Sequence, residues 1–186
     1  MLVHLKEKNK FYWIRTIALA IIVAFIFRMY LFTSYIVEGE SMFPTLEDGN
    51  LLIVNKIEYH IDEIDRFDVI VFHANETDDY VKRVIGLPGD EIAYRDDVLY
   101  VNGEAYKEPY LKENKKELFS GQLTGSFTLE ELTGFEKVPE GHVFVIGDNR
   151  RGSHDSRHFG FIQEDEVVGK VNLRYWPMEQ WAITFK

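Results

Sequence analysis

Three short stretches of this chain hold residue types that could do chemistry together. The first is Gly39-Glu40-Ser41-Met42-Phe43-Pro44-Thr45-Leu46. A serine hydroxyl is inert at neutral pH until a base takes its proton, so Ser41 is a nucleophile only if a partner supplies that base. Without one, a serine before a turn has a structural role. Gly39 and Pro44 would allow a fixed, close approach of the backbone to a bound chain. The second stretch is Tyr80-Val81-Lys82-Arg83-Val84-Ile85-Gly86-Leu87-Pro88-Gly89-Asp90. As a strand it places Tyr80, Lys82 and Val84 on one face and Arg83 on the other, so one of the two cations faces inward or sits at an edge. Burial disfavours an ammonium and lowers its pKa by up to about 3–5 units, and a lysine neutral near pH 7 is a competent general base. At an edge the same lysine would instead oppose aggregation. The third stretch, Gly147-Asp148-Asn149-Arg150-Arg151-Gly152-Ser153-His154-Asp155-Ser156-Arg157-His158-Phe159-Gly160, is dense in polar, turn-forming groups. Such a loop can organise a site, or be a salt-bridged Asx turn.

Other chemistries fit less well. The chain has no cysteine, which removes thiolate metal sites, disulfides and a cysteine nucleophile. His154 and His158 are four apart, but Gly152, Gly160 and the turn-rich composition argue against the helix that would align them. No glutamate follows His154 as in a His-Glu-x-x-His motif, so no metal is expected. A Ser41–His154–Asp155 triad is awkward because the side chains of adjacent residues diverge. Residues 1–36 carry Lys6, Lys8, Lys10, Arg15 and Arg28 against Glu7, a net +4, which leaves −14 on the rest of a chain whose total is −10. A body this acidic repels phosphate backbones, and no nucleic-acid partner is expected.

The elements that would position these residues fall into two parts. Ile17–Phe27 is wholly apolar; Arg28 interrupts, and Met29–Phe32 resumes. Thr16–Val37 holds 22 residues, where a helix needs roughly 20 to cross a bilayer. Arg28 lies in its outer half, within reach of headgroups, and Tyr30 and Tyr35 suit the same interface. A cleaved export signal is the rival, but its clearest small-x-small site, Gly39-Glu40-Ser41, would cut the first motif. The expectation is an uncleaved anchor at 16–37, with residues 1–15 cytoplasmic by the positive-inside rule and 38–186 outside. Beyond Ser34 the pattern is mainly β: Leu51–Ile57, Asp68–Phe72, Tyr80–Ile85, Asp97–Val101, Val143–Ile146 and Val167–Tyr175 read as strands. Asn102-Gly103 marks a hairpin. The charged, less regular Lys107–Lys137 reads as part of a small inserted subdomain over about 91–139, with the Lys112–Glu117 run a solvated face.

Taken together, in this order and behind one anchor, the three motifs resemble those of bacterial type I signal peptidases of the compact Gram-positive type. The resemblance implies an N-terminal transmembrane helix followed by a β-rich catalytic domain. It implies a membrane-bound serine endopeptidase that cleaves secretory preproteins after small residues at −1 and −3, without cofactor, at a phospholipid membrane with export machinery nearby. Carried over by position, Ser41 is the nucleophile and Lys82 the base. Ser153 orients the Lys82 amine, Asp148, Asp155 and Arg157 brace the site, Met42 and Pro44 shape the first motif, and Tyr80 supports the second. In some members a serine two residues before the nucleophile adds to the oxyanion hole. Gly39 stands there in this sequence, so the Ser41 N–H is expected as donor, with the Gly39 N–H or a water beside it. Other readings that remain are a regulatory Ser–Lys autoprotease and an anchored, non-catalytic binding domain.

Overall fold

The computed structural model describes residues 3–56, 64–183 and 185, with the backbone alone at 3–11 and 26–30. The side chains of Arg28 and Tyr30, and the last residue of the expected Leu51–Ile57 strand, therefore lie outside the described residues. A helix, α1 (Val3–Leu31), opens the chain; it contains neither glycine nor proline, so nothing in its backbone chemistry interrupts it. The expected span of Thr16–Val37 is not one element. Phe32-Thr33-Ser34-Tyr35-Ile36 alternates in exposure as a strand, β1 (Phe32–Ile36), and pairs antiparallel with β2 (Leu51–Asn55). Aromatic and β-branched residues with a partner strand alongside favour the pleat over another helical turn. Among the described residues no helix is long and apolar enough to cross a membrane.

The fold is mainly β. The remaining strands are β3 (Val69–His73), β4 (Asp79–Gly86), β5 (Ile92–Arg95), β6 (Val98–Val101), β7 (Glu104–Tyr106), β8 (Phe127–Thr128), β9 (His142–Ile146), β10 (Ile162–Gln163) and β11 (Val167–Trp176). Among the described residues three short α-helices accompany them: α2 (Lys112–Glu117), α3 (Leu129–Thr133) and α4 (Ser156–Phe159). A seven-stranded antiparallel sheet runs β1-β2-β11-β3-β4-β9-β10. A four-stranded sheet, β7-β6-β5-β8, lies between β4 and β9 in sequence. Its β6–β7 hairpin turns at Asn102-Gly103, both at positive φ, as a type I′ turn requires. The β5–β6 turn uses Asp96-Asp97, also at positive φ. That pair is a weaker sequence signal than Asn-Gly, and β5 had no strand assigned to it from sequence.

Packing places β4 at the centre. Val84 joins Ile70, Phe72, Val143 and Val145 in one buried cluster, while its neighbour Ile85 joins Ile92, Tyr94, Leu99, Phe144 and Ile146 between the two sheets. A third cluster, under β2, β3 and β11, takes in Met42 and Leu46 along with Val54, Val71 and Val171. Burying side chains of this size stabilises by about 1.5–3 kcal/mol each, so the turn holding Ser41 is pinned to the core from both sides of Pro44.

Candidate active site

Ser41 sits on the turn between β1 and β2. Gly39 is in the left-handed region (φ 84°), and the space where a Cβ would stand is open, so backbone conformation rather than crowding calls for glycine. Its N–H donates to Asp48 Oδ1 at 2.7 Å and is thus engaged, contrary to the expectation that it helps an oxyanion hole. The turn closes with Phe43 N–H on Glu40 O and Leu46 N–H on Met42 O. From the third motif, Asn149 donates its backbone N–H to Ser41 O at 3.0 Å and its amide to Glu40 O at 3.1 Å. Gly147 passes so close that an added Cβ would lie 2.4 Å from Ser41 O and 2.2 Å from Ser153 Oγ. Among the described residues nothing in the protein accepts the Ser41 N–H.

Lys82 comes from β4, and its Nζ is 2.9 Å from Ser41 Oγ and 3.0 Å from Val81 O. The residue is 4% exposed. The Tyr80 ring centroid lies 5.0 Å from the ammonium nitrogen. Burial lowers the Lys82 pKa from its ordinary 10.5 to about 8, against an opposing pull from the Asp155 carboxylate. As an ammonium, Lys82 donates to the Ser41 hydroxyl; once neutral, its lone pair can accept the hydroxyl proton.

Arg83, on the opposite face of β4, is also buried, so neither cation lies at an edge. Its guanidinium grips Asp148 through Nε–Oδ1 at 2.8 Å and Nη2–Oδ2 at 2.6 Å. It also donates to Phe67 O and Phe185 O and stacks 3.8 Å from the Tyr110 ring centroid. Thr45 Oγ1 donates to the same Asp148 carboxylate. Asp155 pairs with Arg157 (Nε–Oδ1 2.8 Å, Nη2–Oδ2 2.9 Å) and accepts the Gly147 N–H at 3.0 Å. Although Asp155 is buried, Arg157 and these hydrogen bonds hold its pKa below the usual carboxylate range. The three residues expected to form one brace thus form two: Asp148 with Arg83, and Asp155 with Arg157.

Other expected residues are placed differently. Among the described residues no hydrogen bond joins Ser153 to Lys82; the buried Ser153 Oγ lies beside Gly147, near enough to Asp155 to help keep that carboxylate ionised. Met42 is a core side chain, 1% exposed, leaving Phe43 as the exposed apolar residue of the turn. Pro44 follows Phe43 through a cis peptide bond. His158 lies in the one-turn helix α4 but His154 precedes that helix, so the two are not aligned on one helical face. His154 stacks on His158 and does not approach Ser41 by hydrogen bond. Among the described residues no group of three His, Asp or Glu side chains is arranged to hold a metal ion.

Thr45, Arg83, Asn149 and Arg150 were not assigned site positions from sequence. Arg150 is buried on Glu108, Tyr94 and Thr124, tying the third motif to the second sheet. The available signal was weak: two adjacent cations at 82–83 demand a second buried counter-charge, and Asp148 was one of several acidic candidates. A cleft of about 620 Å³ opens beside Ser41 and Lys82, walled by Tyr35, Val37, Leu52, Val71, Tyr80 and Val81 with Asp78 and Asp79 at its rim. Tyr35 spans it, donating to Asp79 Oδ2 at 2.7 Å.

A hydroxyl held against a desolvated lysine, next to an unspoken-for backbone N–H and a peptide-sized cleft, defines a serine hydrolase type of centre. Comparison with known proteins makes the class specific. Residues 10–176 match the family model for signal peptidase, peptidase S26. The chain is 57% identical over 180 residues to a signal peptidase I of Bacillus caldolyticus, covering 97% of this chain and 98% of that one. It is 45% identical over 183 residues to a signal peptidase IB of Staphylococcus aureus (strain MRSA252), covering 96% of each. A crystal structure of a signal peptidase I from Enterococcus faecalis V583 superposes with a TM-score of 0.57 at 44% identity, covering 59% of this chain and 97% of that one. The chain belongs to the signal peptidase family, peptidase S26, and is a protease.

Proposed function

We propose that this chain is a membrane-anchored signal peptidase in which Ser41 attacks the scissile carbonyl and Lys82 serves as its base. The observation that carries the reading is the 2.9 Å approach of the 4% exposed Lys82 amine to the Ser41 hydroxyl. Neutral Lys82 takes the Ser41 proton and later gives it to the leaving amine; water then hydrolyses the acyl-enzyme. The Ser41 N–H is the donor for the oxyanion, and one such donor contributes roughly 3–4 kcal/mol in known cases. Asp148, through Arg83, holds the Gly147–Gly160 loop against β4, while Asp155 and Arg157 brace that loop from within. Substrate lies extended in the cleft, where the small apolar walls at Val37, Val71 and Val81 favour small side chains at −1 and −3 of secretory preproteins.

Anchoring fits the outer surface. The apolar α1 side chains from Trp13 to Phe25 are exposed to solvent, as are Trp176, Met178, Trp181 and Ile183. These are surfaces a phospholipid bilayer would cover. With basic residues preceding the apolar run, residues 1–15 face the cytoplasm and the catalytic domain faces outward, close to the export machinery that delivers substrate. The test is cleavage of a preprotein with alanine at −1 and −3 by full-length enzyme in detergent and phospholipid, beside Ser41→Ala and Lys82→Ala. Processing by the parent alone is expected. Processing that survives Lys82→Ala would remove lysine as the base, and none by folded parent would remove the substrate assignment.

A further inference from the structure

Besides the Tyr94 and Thr124 contacts to Arg150, the inserted region meets the site through the segment from Glu108 to Asn114. Glu108 holds Arg150, and the Tyr110 ring lies under Arg83. Asn114, in α2, reaches further. Its Nδ2 donates to Phe43 O at 3.2 Å and to Asp148 O at 3.3 Å. One carbonyl belongs to the turn carrying Ser41; the other belongs to the residue whose carboxylate clamps Arg83, the neighbour of Lys82. Because both acceptors are carbonyls, only the NH₂ end of the amide can face them. Among the described residues its buried Oδ1 has no hydrogen-bond partner, a penalty accepted to keep both donor contacts. Asn114 is also the one residue of α2 that is not exposed; Lys112, Glu113, Lys115, Lys116 and Glu117 all face solvent. The charged run is a solvated face with a single inward contact.

We infer that Asn114 is a positioning residue for the peptidase reaction, tying the nucleophile's turn to the loop that fixes the base's strand. The inference rests on the Ser41–Lys82 reading. Thr45 Oγ1 on Asp148, and Asn149 on Ser41 O and Glu40 O, also tie the same two loops, so loss of the Asn114 amide leaves the fold held while loosening the Phe43 side of the turn. Displacements near 1 Å at a reacting pair cost up to about 100-fold in rate.

The experiment compares full-length parent, Asn114→Ala, Asn114→Asp and Ser41→Ala in one detergent–phospholipid assay with an alanine-type preprotein. It reads kcat, KM, single-turnover acylation of Ser41 and the unfolding midpoint. Asn114→Ala is expected to lower kcat and the acylation rate about tenfold, the scale of one to two lost hydrogen bonds, with KM within about twofold. Asn114→Asp is expected to fall further, because its carboxylate faces two carbonyl oxygens. Parent-like kcat in either folded variant overturns the inference. So does a rise in KM alone, which would place the effect in substrate binding. Unfolding of both variants overturns it too, since Asn114 would then serve the fold and not the serine. Activity surviving in Ser41→Ala would instead bring down the underlying Ser41–Lys82 reading, and with it this inference.

Discussion

Lys82 gives the most quantitative handle on the reading, because burial alone moves its titration into an accessible range. With a pKa of about 8 in place of 10.5, the neutral fraction is about 9% at pH 7, 50% at pH 8 and 91% at pH 9; an ordinary lysine would be about 0.03% neutral at pH 7. As kcat/KM reports the free enzyme, it should rise about tenfold from pH 7 to pH 9 along a single limb centred near 8. The same shift has a stability consequence of known sign. Lys82 binds its proton less tightly folded than unfolded, so between pH 8 and 10.5 the unfolded chain carries the extra proton and stability rises with pH. Two and a half units amount to about 3 kcal/mol, lost in full below pH 8. Lys82→Met keeps the stem and removes the titration. The parent-minus-variant difference in unfolding free energy, measured by urea at several pH values, should become more favourable to the parent by up to about 3 kcal/mol from pH 7 to 10.5. The assays are preprotein cleavage and denaturant unfolding of full-length protein in the same detergent. A flat rate profile from pH 7 to 9, or a limb above pH 10 with a pH-independent stability difference, would refute a desolvated lysine base.

The remaining predictions follow from single contacts. Ser41→Ala and Lys82→Ala should each abolish nearly all turnover, and the double variant should be little slower than either, because the pair acts as one unit; additive losses in kcat would contradict that. Asp148→Ala leaves the fully buried Arg83 without its counter-charge and should destabilise by about 3–5 kcal/mol, read as a lower urea midpoint; an unchanged midpoint would mean the pair is not the brace. Gly147→Ala drives a methyl into Ser41 O and Ser153 Oγ and should lower kcat more than KM, whereas parent-like kinetics would show that the two loops move apart freely.

How much of this was legible in the sequence depends on the range of the contacts. Strands with a clear period and turn signals, such as Val98–Val101 before Asn102-Gly103, lie where the local pattern puts them. The Ser41–Lys82 approach links positions 41 apart, and it was legible only because serine and lysine motifs occur in a known order. Phe32–Ile36 was absorbed into the apolar helix because hydropathy does not distinguish an apolar strand from the end of an apolar helix; its partner β2 decides. Asn114 illustrates a further limit. An asparagine in a charged run looks like a solvent-facing group, and only the opposing backbone assigns it a neighbour.

Lys82 and Arg83 show why adjacent, equally buried cations can differ in chemistry. Strand geometry sends them to opposite faces of β4, and neither reaches solvent. Arg83 meets a bidentate carboxylate, two carbonyls and an aromatic ring, so its charge is matched group by group and the residue serves the fold. Lys82 meets a hydroxyl, one carbonyl and the Tyr80 ring, with no carboxylate among the described residues hydrogen-bonded to it; Asp155 is paired with Arg157 and the Gly147 N–H. Its charge is left poorly matched, and the proton becomes easy to lose. The Asp155 carboxylate still pulls the Lys82 pKa upward, but it is shared with Arg157 and the Gly147 N–H, and burial of the ammonium outweighs its pull. On the proposed mechanism, that balance is what lets Lys82 serve as the base for Ser41.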